Sequence, residues 1–387
     1  MTDPVPDPHP ACQFGITDLP CYWVDDADKA ARCTRMSAEI EPPHVDPERL
    51  RALLDARCDG HAACRELTFT HPRLFSRAVI RLPNRADARM RAVIAAVETV
   101  VAQPGYREAA LARAPEIARF DPGPRGAFLG FDFHLADSQP RLIEINTNAG
   151  GALLNALLAD SVVPANARPA DAEAAFAAMF RAEWALQRGD RALRTLAIVD
   201  DQPEAQFLYP EFLLFEALFR RHGIAAVVAD AGELAYRDGR LWHGDTALDL
   251  VYNRLTDFML EEPRHAALRQ AYLAGSAVVT PHPRAHALYA DKRNLVSLSD
   301  AEALRRLDVP HADAALLAQS LPATLEVGAD NAEALWLTRR QWFFKPSGGY
   351  GSRGAYRGAK LTRRVWREIL DSRYVAQAFV PPDECLL

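Results

Sequence analysis

The sequence predicts a mixed α/β protein, of the α+β type, with more than one domain. At 387 residues and 42.8 kDa the chain is long for one compact core. Residues 46–120 carry apolar side chains at intervals of three and four, the spacing of amphipathic helices. Residues 194–259 alternate buried strands with a helix, an order that predicts a parallel sheet.

Composition and charge exclude several classes of protein. With 49% hydrophobic and 25% charged residues, the chain is an ordinary globular sequence rather than a disordered one. The net charge of -6 argues against a nucleic-acid partner, and no apolar run approaches the roughly 20 residues that span a bilayer. The first residues, MTDPVPDPHPAC, lack the basic and then apolar start of a signal peptide. We therefore expect a cytoplasmic protein without a membrane or nucleic-acid partner.

Four regions are expected along the chain. Residues 1–45 form an irregular, proline-rich arm, and residues 46–190 form a helical region with a β-hairpin. In the latter, AEAAFAAMFRAEWALQ predicts a helix capped by Asp171 and ended by Gly189. Residues 191–275 form an α/β substrate domain, and residues 276–387 form a nucleotide-binding lid and hinge.

The α/β domain places polar residues where ligands of parallel sheets usually bind. The strands TLAIVDD, AAVVAD and LDLVYNR flank the helix YPEFLLFEALFRRHG and a hairpin that turns at Asp238-Gly239. Ligands of such sheets bind beyond the carboxyl ends of the strands. The side chains expected there are those of Asp200, Asp201, Asn253 and Arg254.

A second hairpin carries a group of oxygen ligands. FLGFDFHL (128–135) and RLIEINTN (141–148) predict strands that turn near position 139, so Asp132 lies opposite about Asn146 and His134 opposite Glu144. Two carboxylates and an amide oxygen on one face suit Mg²⁺, with His134 as an orienting neighbour. The alternative is an ordinary hairpin with this face in water. Amide groups and glycines that a charged substrate could use follow at Asn148, Gly150 and Gly151.

Lysines and cysteines are unevenly distributed. Only four of the 45 basic residues are lysines: Lys29, Lys292, Lys345 and Lys360. Where a lysine occurs in so arginine-rich a chain, its compact charge suits a specific site. Five of the six cysteines precede residue 65 and fit no common zinc spacing, so we expect reduced thiols.

A glycine-rich loop follows Lys345. KPSGGYGSRG contains Gly348, Gly349, Gly351 and Gly354, whose backbone amides can approach an anion closely. The loop formally contains Gly-x-Gly-x-x-Gly, but the strand-like AYRG that follows excludes a Rossmann motif, and the P-loop signature is absent. Two alternatives stay open: a strand–loop–strand flap over nucleotide phosphates, or a flexible surface hairpin.

Five segments resemble motifs of the ATP-grasp superfamily. RLIEINTNAGG resembles its Glu-x-Asn metal strand, and FDFHL resembles the strand with its first acidic ligand. DKRNLVSL resembles the segment with the first nucleotide-binding lysine, and FFKPSGGYGSRG the second lysine with its glycine flap. YVAQAFVPPDE resembles the adenine-contacting hinge with a ribose-binding acid. The resemblance covers roughly residues 128–155 and 250–387.

The order of these motifs resembles the circularly permuted branch, which includes eukaryotic-type glutathione synthetases, because the metal strand precedes the glycine loop by about 200 residues. The resemblance implies a circularly permuted ATP-grasp-like fold with an inserted parallel α/β substrate domain. It also implies an ATP-dependent carboxylate–amine ligase that acts through an acyl-phosphate. ATP and Mg²⁺ would be its cofactors, and a small carboxylate and an amine its substrates.

The resemblance further implies a role for each site residue. The metal ligands would be Asp132, Glu144 and Asn146. The nucleotide would be bound by Lys292, Lys345, Gly348, Gly349, Gly351, Gln377, Phe379, Val380 and Glu384. The substrate would be bound by Asn148, Gly150, Gly151 and Arg254, with Arg254 and Lys345 as the catalytic residues. These assignments require the acidic hairpin and the glycine loop to meet at one site.

The sequence departs from the family at two points. Eukaryotic glutathione synthetases carry a further metal-binding glutamate just after the loop lysine, where this chain has Gly349. Family members also continue well beyond the hinge, whereas this sequence ends at Leu387, so either the last strands come from elsewhere in the fold or the product is shortened.

Two other functions therefore stay open, a non-catalytic ATP-binding paralogue and a phosphotransferase. Hydrolase motifs of the Gly-x-Ser-x-Gly and His-Glu-x-x-His types are absent from the sequence. The oligomeric state is also open, with a homodimer as one alternative.

Overall fold

A computed structural model describes residues 45–58, 74–76, 82–136, 139–162, 171–349 and 354–382. The predicted helices are confirmed, including the Asp171 cap, whose carboxylate accepts a hydrogen bond from the amide of Ala174, and the end at Gly189, which has φ 63°. The α-helices of six or more residues in this part of the chain are α1 (Pro47–Arg57), α2 (Asn84–Ala102), α3 (Pro104–Ala112), α4 (Ala152–Val162), α5 (Ala172–Arg188), α6 (Tyr209–Arg221), α7 (Ala266–Leu273), α8 (Asn294–Ser299), α9 (Ala301–Arg306), α10 (His311–Ser320), α11 (Ala332–Leu337) and α12 (Arg363–Leu370).

The strands form four separate sheets within the same residues. They are β1 (Gly130–Ala136), β2 (Gln139–Asn146), β3 (Thr195–Asp200), β4 (Ala225–Asp230), β5 (Leu234–Arg237), β6 (Arg240–His243), β7 (Thr246–Ala247), β8 (Leu250–Asn253), β9 (Val278–Thr280), β10 (Thr324–Glu326), β11 (Trp342–Pro346), β12 (Tyr356–Arg357) and β13 (Tyr374–Ala378). Mixed parallel and antiparallel pairing confirms the α+β class.

The parallel sheet has the order β4–β3–β8–β9 and forms the centre of the α/β unit. Successive side chains of β3 point to opposite faces: Leu196 and Ile198 pack with α1, α4, α5 and α6, whereas Ala197 and Val199 pack with α7. The predicted strand–helix–strand order is confirmed, and β9 adds a fourth strand just beyond the expected range of 191–275. From β3, the next strand along the chain, β4, lies on one side, and the later strands β8 and β9 lie on the other. The carboxyl ends of β3 and β8 therefore border the crevice where ligands of such sheets usually bind.

The second four-stranded sheet is antiparallel and carries the glycine loop. Its order is β10–β13–β11–β12, and β11 and β12 pair on either side of the loop. A small core of Leu335, Phe344, Trp366, Ile369 and Ala376 lies beneath it. This pairing gives a strand–loop–strand arrangement, which is common to both alternatives for the loop, a nucleotide flap and a surface hairpin.

The β1–β2 hairpin lies next to both sheets. Leu142 and Ile145 pack against α2 and α10 in a shared core. Just before β1, the ring of Phe128 lies 5.1–5.8 Å from the rings of Phe176, Phe180, Phe215 and Tyr252, in the core of the parallel sheet. These contacts fix the hairpin between the α/β unit and the glycine-loop sheet.

Cys58 is disulfide-bonded, so the expectation of reduced thiols is wrong for this cysteine. None of the helices in the described part of the chain combines the length and apolar character needed to cross a membrane.

Candidate functional site

The hairpin has a different register from the predicted one. Asp132 pairs with Glu144, and Asn146 pairs with Gly130, whereas the prediction set Asp132 opposite Asn146 and His134 opposite Glu144. A β-bulge between Asp132 and Phe133 leaves Ile143 without a partner in the register. The observed register places the carboxylates of Asp132 and Glu144 directly opposite each other. The Asn146 amide still contacts one of them, because its Nδ2 donates to Asp132 Oδ2 at 3.1 Å.

The two predicted lysines both reach Glu144. Lys292 Nζ lies 3.3 Å from Glu144 Oε1, and Lys345 Nζ lies 3.7 Å from Glu144 Oε2. Lys345 Nζ also donates to the carbonyl of the bulged Ile143 at 2.8 Å, and Lys292 Nζ donates to the carbonyl of Gly349 at 3.3 Å. The acidic hairpin and the glycine loop therefore meet, as the sequence predicts.

Both lysines are buried, with exposures of 7% for Lys292 and 6% for Lys345. Burial lowers the pKa of Lys345, and the nearby charge of Glu144 offsets part of that shift. Burial raises the pKa of Asp132, and the like charge of Glu144 raises it further. The site thus holds four ionisable groups in a partly dehydrated space, where a bound anion or cation interacts more strongly than it would in water.

The glycine loop continues this site from the end of β11. A Cβ added at Gly348 would meet nothing within 4 Å, so the backbone there borders open space. Gly349 has φ +133° and Gly354 has φ +71°, backbone conformations that favour glycine. At Gly354 a Cβ would also come within 2.9 Å of the Tyr374 hydroxyl. Gly351 lies outside the described residues.

The predicted hinge contacts the hairpin. The carbonyl of Val380 lies 2.8 Å from Nδ1 of His134, and the guanidinium of Arg357 stands 4.4 Å from the ring centre of Phe379. Gln377 is buried on β13, the strand between β10 and β11, and its Nε2 lies 3.5 Å from Thr324 Oγ1. Glu384 lies outside the described residues.

The four predicted substrate residues also lie together. Arg254 Nη1 donates to Asn148 Oδ1 at 2.6 Å, and Asn148 Nδ2 donates back to the Arg254 carbonyl at 2.8 Å. A Cβ at Gly150 would lie 2.8 Å from Arg254 Nη2, so this close approach requires glycine. Arg254 is 6% exposed, and its buried Nε has no hydrogen-bond partner among the described residues. An anion could satisfy that donor.

The structure adds a residue that the sequence did not indicate. Glu211 of α6 is 1% exposed, and its carboxylate accepts hydrogen bonds from the amides of Gly151 at 2.7 Å and Leu153 at 2.9 Å. It therefore caps the start of α4 and holds the glycine pair in place. No pattern in the sequence around Glu211 indicates this role, because Glu211 and Gly151 are 60 residues apart.

His286 is a second addition. Its Nδ1 lies 3.1 Å from the hydroxyl of Thr147, and its ring stacks on Phe258 at 4.1 Å. Burial lowers the pKa of His286 to about 4, so its imidazole is neutral at pH 7. Thr147 connects Asn146 of the acidic hairpin with Asn148 of the substrate group, so His286 supports the segment that joins these two groups.

No protein-family model matches the chain, and no curated protein matches it in sequence. Among solved structures, it is similar to a glutathione-synthetase-like effector from Globodera pallida in its apo form, with 12% identity over 87% of this chain and 83% of that chain and a TM-score of 0.50. It is also similar to a candidate γ-glutamylcysteine synthetase from Methylobacillus flagellatus, with 11% identity, 77% and 75% coverage and a TM-score of 0.43. The first likeness shows that this chain has a glutathione-synthetase-like fold.

Proposed function

We propose that this protein is an ATP-dependent ligase that joins a small-molecule carboxylate to an amine. The observation that supports this most strongly is the position of Lys292 and Lys345. Both are buried, both lie within 4 Å of Glu144, and both adjoin the glycine loop. Both buried ammonium groups share the single carboxylate of Glu144, so a polyanion bound beside them would add to the compensation of their charge.

In the proposed reaction the carboxylate oxygen attacks the γ-phosphorus of ATP, and ADP leaves. The amine then attacks the acyl carbon of the acyl-phosphate, inorganic phosphate leaves, and the amine loses a proton to solvent. Such chemistry depends mainly on positioning and on neutralising charge. Lys292 and Lys345 supply two cations from separate segments, and the amides of Gly348 and Gly349 supply neutral donors beside them.

The donor set on the hairpin suits Mg²⁺. Asp132, Glu144 and Asn146 present the carboxylate and amide oxygens that this ion prefers, and they would hold it against the nucleotide. When bound, the ion neutralises phosphate charge during the transfer. Asn146 keeps the Asp132 carboxylate in place through the 3.1 Å hydrogen bond.

The carboxylate substrate is assigned to the group around Arg254. Its unpartnered Nε favours an anion, and Asn148 holds the guanidinium through the 2.6 Å bond to Nη1. Gly150 has no side chain, which allows its backbone to approach the Arg254 guanidinium closely. Adenine recognition is assigned to Gln377, Phe379 and Val380, while the roles of Gly351 and Glu384 in this scheme rest on the sequence resemblance alone.

Chain order supports a permuted ATP-grasp arrangement with an inserted substrate domain. The metal hairpin (130–146) precedes the α/β unit, which in turn precedes β11 and the glycine loop. We therefore assign residues 276–387 to the lid and hinge, and the parallel sheet to the substrate domain.

Binding of Mg-ATP tests the site directly. We expect Mg-ATP at a hundred times its Kd to raise the free energy of unfolding by about 2.7 kcal/mol, because only the folded state binds it. Lys345→Met should weaken ATP binding about 10- to 100-fold through loss of one charge-assisted contact. Lys360→Met, at an exposed lysine of the same sheet region, is the matched control and should leave the affinity unchanged. Equal affinities of the two variants in calorimetry would refute the site.

Amine-dependent ADP release separates a ligase from the other two functions. A ligase releases ADP only when both a carboxylate and an amine are present. A phosphotransferase releases it with a single acceptor, and a non-catalytic protein binds ATP without turnover. The replacement of the family's loop glutamate by Gly349 favours the non-catalytic alternative if no substrate pair supports release.

A further inference from the structure

A second group of ligand-type side chains lies at the end of the parallel sheet. Asp201 directly follows β3, and Glu262 and His265 belong to the turn that leads into α7. Ligand atoms of these three residues all lie within 4.8 Å of one another. The group is separate in residues and in sheet from the triphosphate site on the β1–β2 hairpin.

The histidine is held in the orientation that metal-binding histidines adopt. His265 is fully buried, and its Nδ1 lies 2.7 Å from Asp257 Oδ2. Metal-ligating imidazoles commonly donate their other N–H to a carboxylate in this way. The Nε2 of His265 faces Asp201, whose Oδ1 is 3.0 Å away, and a bound metal ion would replace the proton that Nε2 shares with this carboxylate. A separation of about 3 Å between two donor atoms matches adjacent ligands that each lie about 2 Å from one ion.

An incompletely paired carboxylate adjoins the group. Asp200 is 8% exposed, and its Oδ1 accepts the Asp201 amide at 2.8 Å, while its Oδ2 accepts no hydrogen bond from the described residues. The charges of Arg254, Asp201 and His265 all act on it, which places it beside the same cluster.

The local charge is negative. The cationic side chains here are Arg264, which contacts Asp201 at 3.0 Å and Asp230 at 2.6 Å, Arg254, whose charge acts on Asp200, and His265 when protonated. The carboxylates facing them are those of Asp200, Asp201, Asp230, Asp257 and Glu262. Five carboxylates against three cationic groups leave a negative charge that a divalent cation can balance.

We propose that Asp201, Glu262 and His265 bind a divalent metal ion through one imidazole nitrogen and two carboxylates, with Asp257 positioning the imidazole. Mixed nitrogen and oxygen ligands select Zn²⁺ over Mg²⁺, which prefers oxygen ligands alone. The site lies at the carboxyl ends of β3 and β8, the edge where Arg254 is also placed. The proposal is independent of ATP binding, since it uses none of the lysines or hairpin carboxylates.

The competing explanation is a metal-free ion-pair network. Arg264 and His265 already join Asp201, Asp230 and Asp257, and these contacts alone could hold the turn against the sheet. The two explanations differ at Glu262. Its side chain is exposed and belongs to the proposed ligand set, but it makes no ion pair in the described part of the chain.

Competition with a chromophoric chelator measures Zn²⁺ affinity on the full chain, freed of metal beforehand and without nucleotide. We expect one Zn²⁺ per chain at this site, and His265→Ala should weaken it at least about 100-fold. Asp257→Asn should weaken it about 10- to 100-fold through the imidazole it positions. Glu262→Gln, a surface change that keeps the fold, should also weaken it about tenfold or more. His243→Ala is the control, because His243 also lies near a carboxylate, at 3.3 Å from Glu233, outside the cluster.

The outcomes separate the explanations. Loss of affinity in Glu262→Gln and His265→Ala, with His243→Ala unchanged, supports the metal site. Zn²⁺ affinity that is the same in wild type and Glu262→Gln overturns it in favour of the ion-pair network, even where His265→Ala fails to fold. A loss in His243→Ala equal to that in Glu262→Gln also overturns it, because the binding is then nonspecific.

Discussion

Two regions of the molecule combine carboxylates with cationic side chains, but in different ratios. Around Glu144, the lysines Lys292 and Lys345 balance two carboxylates, and neutral glycine backbone borders the remaining space. Around His265, five carboxylates face Arg254, Arg264 and one imidazole. We call these the triphosphate region and the acidic region. The first can accept added negative charge, whereas the second can accept added positive charge.

The two regions also differ in how the chain builds them. In the triphosphate region, Lys345 reaches across 202 residues to the bulged Ile143, and the contact depends on one carbonyl that the bulge leaves unpaired in the register. In the acidic region, Asp201 and the turn at His265 are positioned by the parallel sheet and by α7. Ligand charge preference therefore follows from which segments the fold brings together, and not from overall composition.

Replacing the central carboxylate of the triphosphate region should have the largest effect. Glu144→Gln removes the negative charge shared by Lys292 and Lys345 and one proposed metal ligand, while it keeps the side-chain size. We expect turnover to fall about 100- to 1,000-fold, the range seen when one preorganised electrostatic contact is lost. ADP release with a productive carboxylate and amine measures it. Glu262→Gln, in the acidic region, should retain turnover. Full activity in Glu144→Gln would contradict the metal assignment.

The capping carboxylate tests whether the substrate group depends on its support. Glu211→Ala leaves the buried amides of Gly151 and Leu153 without their acceptor, so we expect the free energy of unfolding to fall by about 2 kcal/mol. Urea unfolding measures this change. Glu204→Ala is a suitable control, since Glu204 is exposed near the start of the same helix and should change the value by less than about 0.5 kcal/mol. Similar losses in both variants would show that the cap has no special role.

Local patterns were sufficient for much of the triphosphate region. Alternation along the strands and the turn residues between them predicted the hairpin, and the scarcity of lysine pointed to Lys292 and Lys345. The register was wrong, because a side-chain period of two identifies a face but not the partner across the hairpin. The residue types around Ile143 do not indicate a bulge. With this bulge in the hairpin, Asp132 pairs with Glu144.

The acidic region could be predicted only in part. Strand ends indicated Asp200 and Asp201, because carboxyl ends of parallel strands share one edge. His265 was not foreseen, since its partner Asp201 is 64 residues away and the contact depends on how α7 packs on the sheet. Glu211 was missed for the same reason. Side chains that bond to distant backbone leave no pattern in the sequence around them.

Two buried histidines, His265 of the acidic region and His282, should respond to pH in opposite directions. His265 is difficult to charge because it is buried, but its hydrogen bonds to Asp201 and Asp257 outweigh burial and raise its pKa. It therefore stabilises the fold at low pH and loses that contribution as pH rises through its folded pKa. His282 lies ten residues before Lys292 in the chain. Its Nε2 donates to the Pro124 carbonyl at 2.9 Å, its Nδ1 accepts the Ala285 amide at 3.1 Å, and burial lowers its pKa.

Acidification should therefore destabilise the protein through His282. Below pH 6.5 the unfolded chain binds a proton at His282 that the folded chain does not, so stability falls as pH falls. One pH unit below 6.5 this amounts to at most about 1.4 kcal/mol. Urea unfolding of metal-free protein at pH 7.5 and 5.5 should show a loss about 1 kcal/mol smaller in His282→Gln than in wild type. His311→Gln, at an exposed histidine, should lose as much as wild type. If His282→Gln also loses as much as wild type, the folded protein accepts the proton at His282, and the backbone contacts on its two nitrogens do not hold the imidazole neutral.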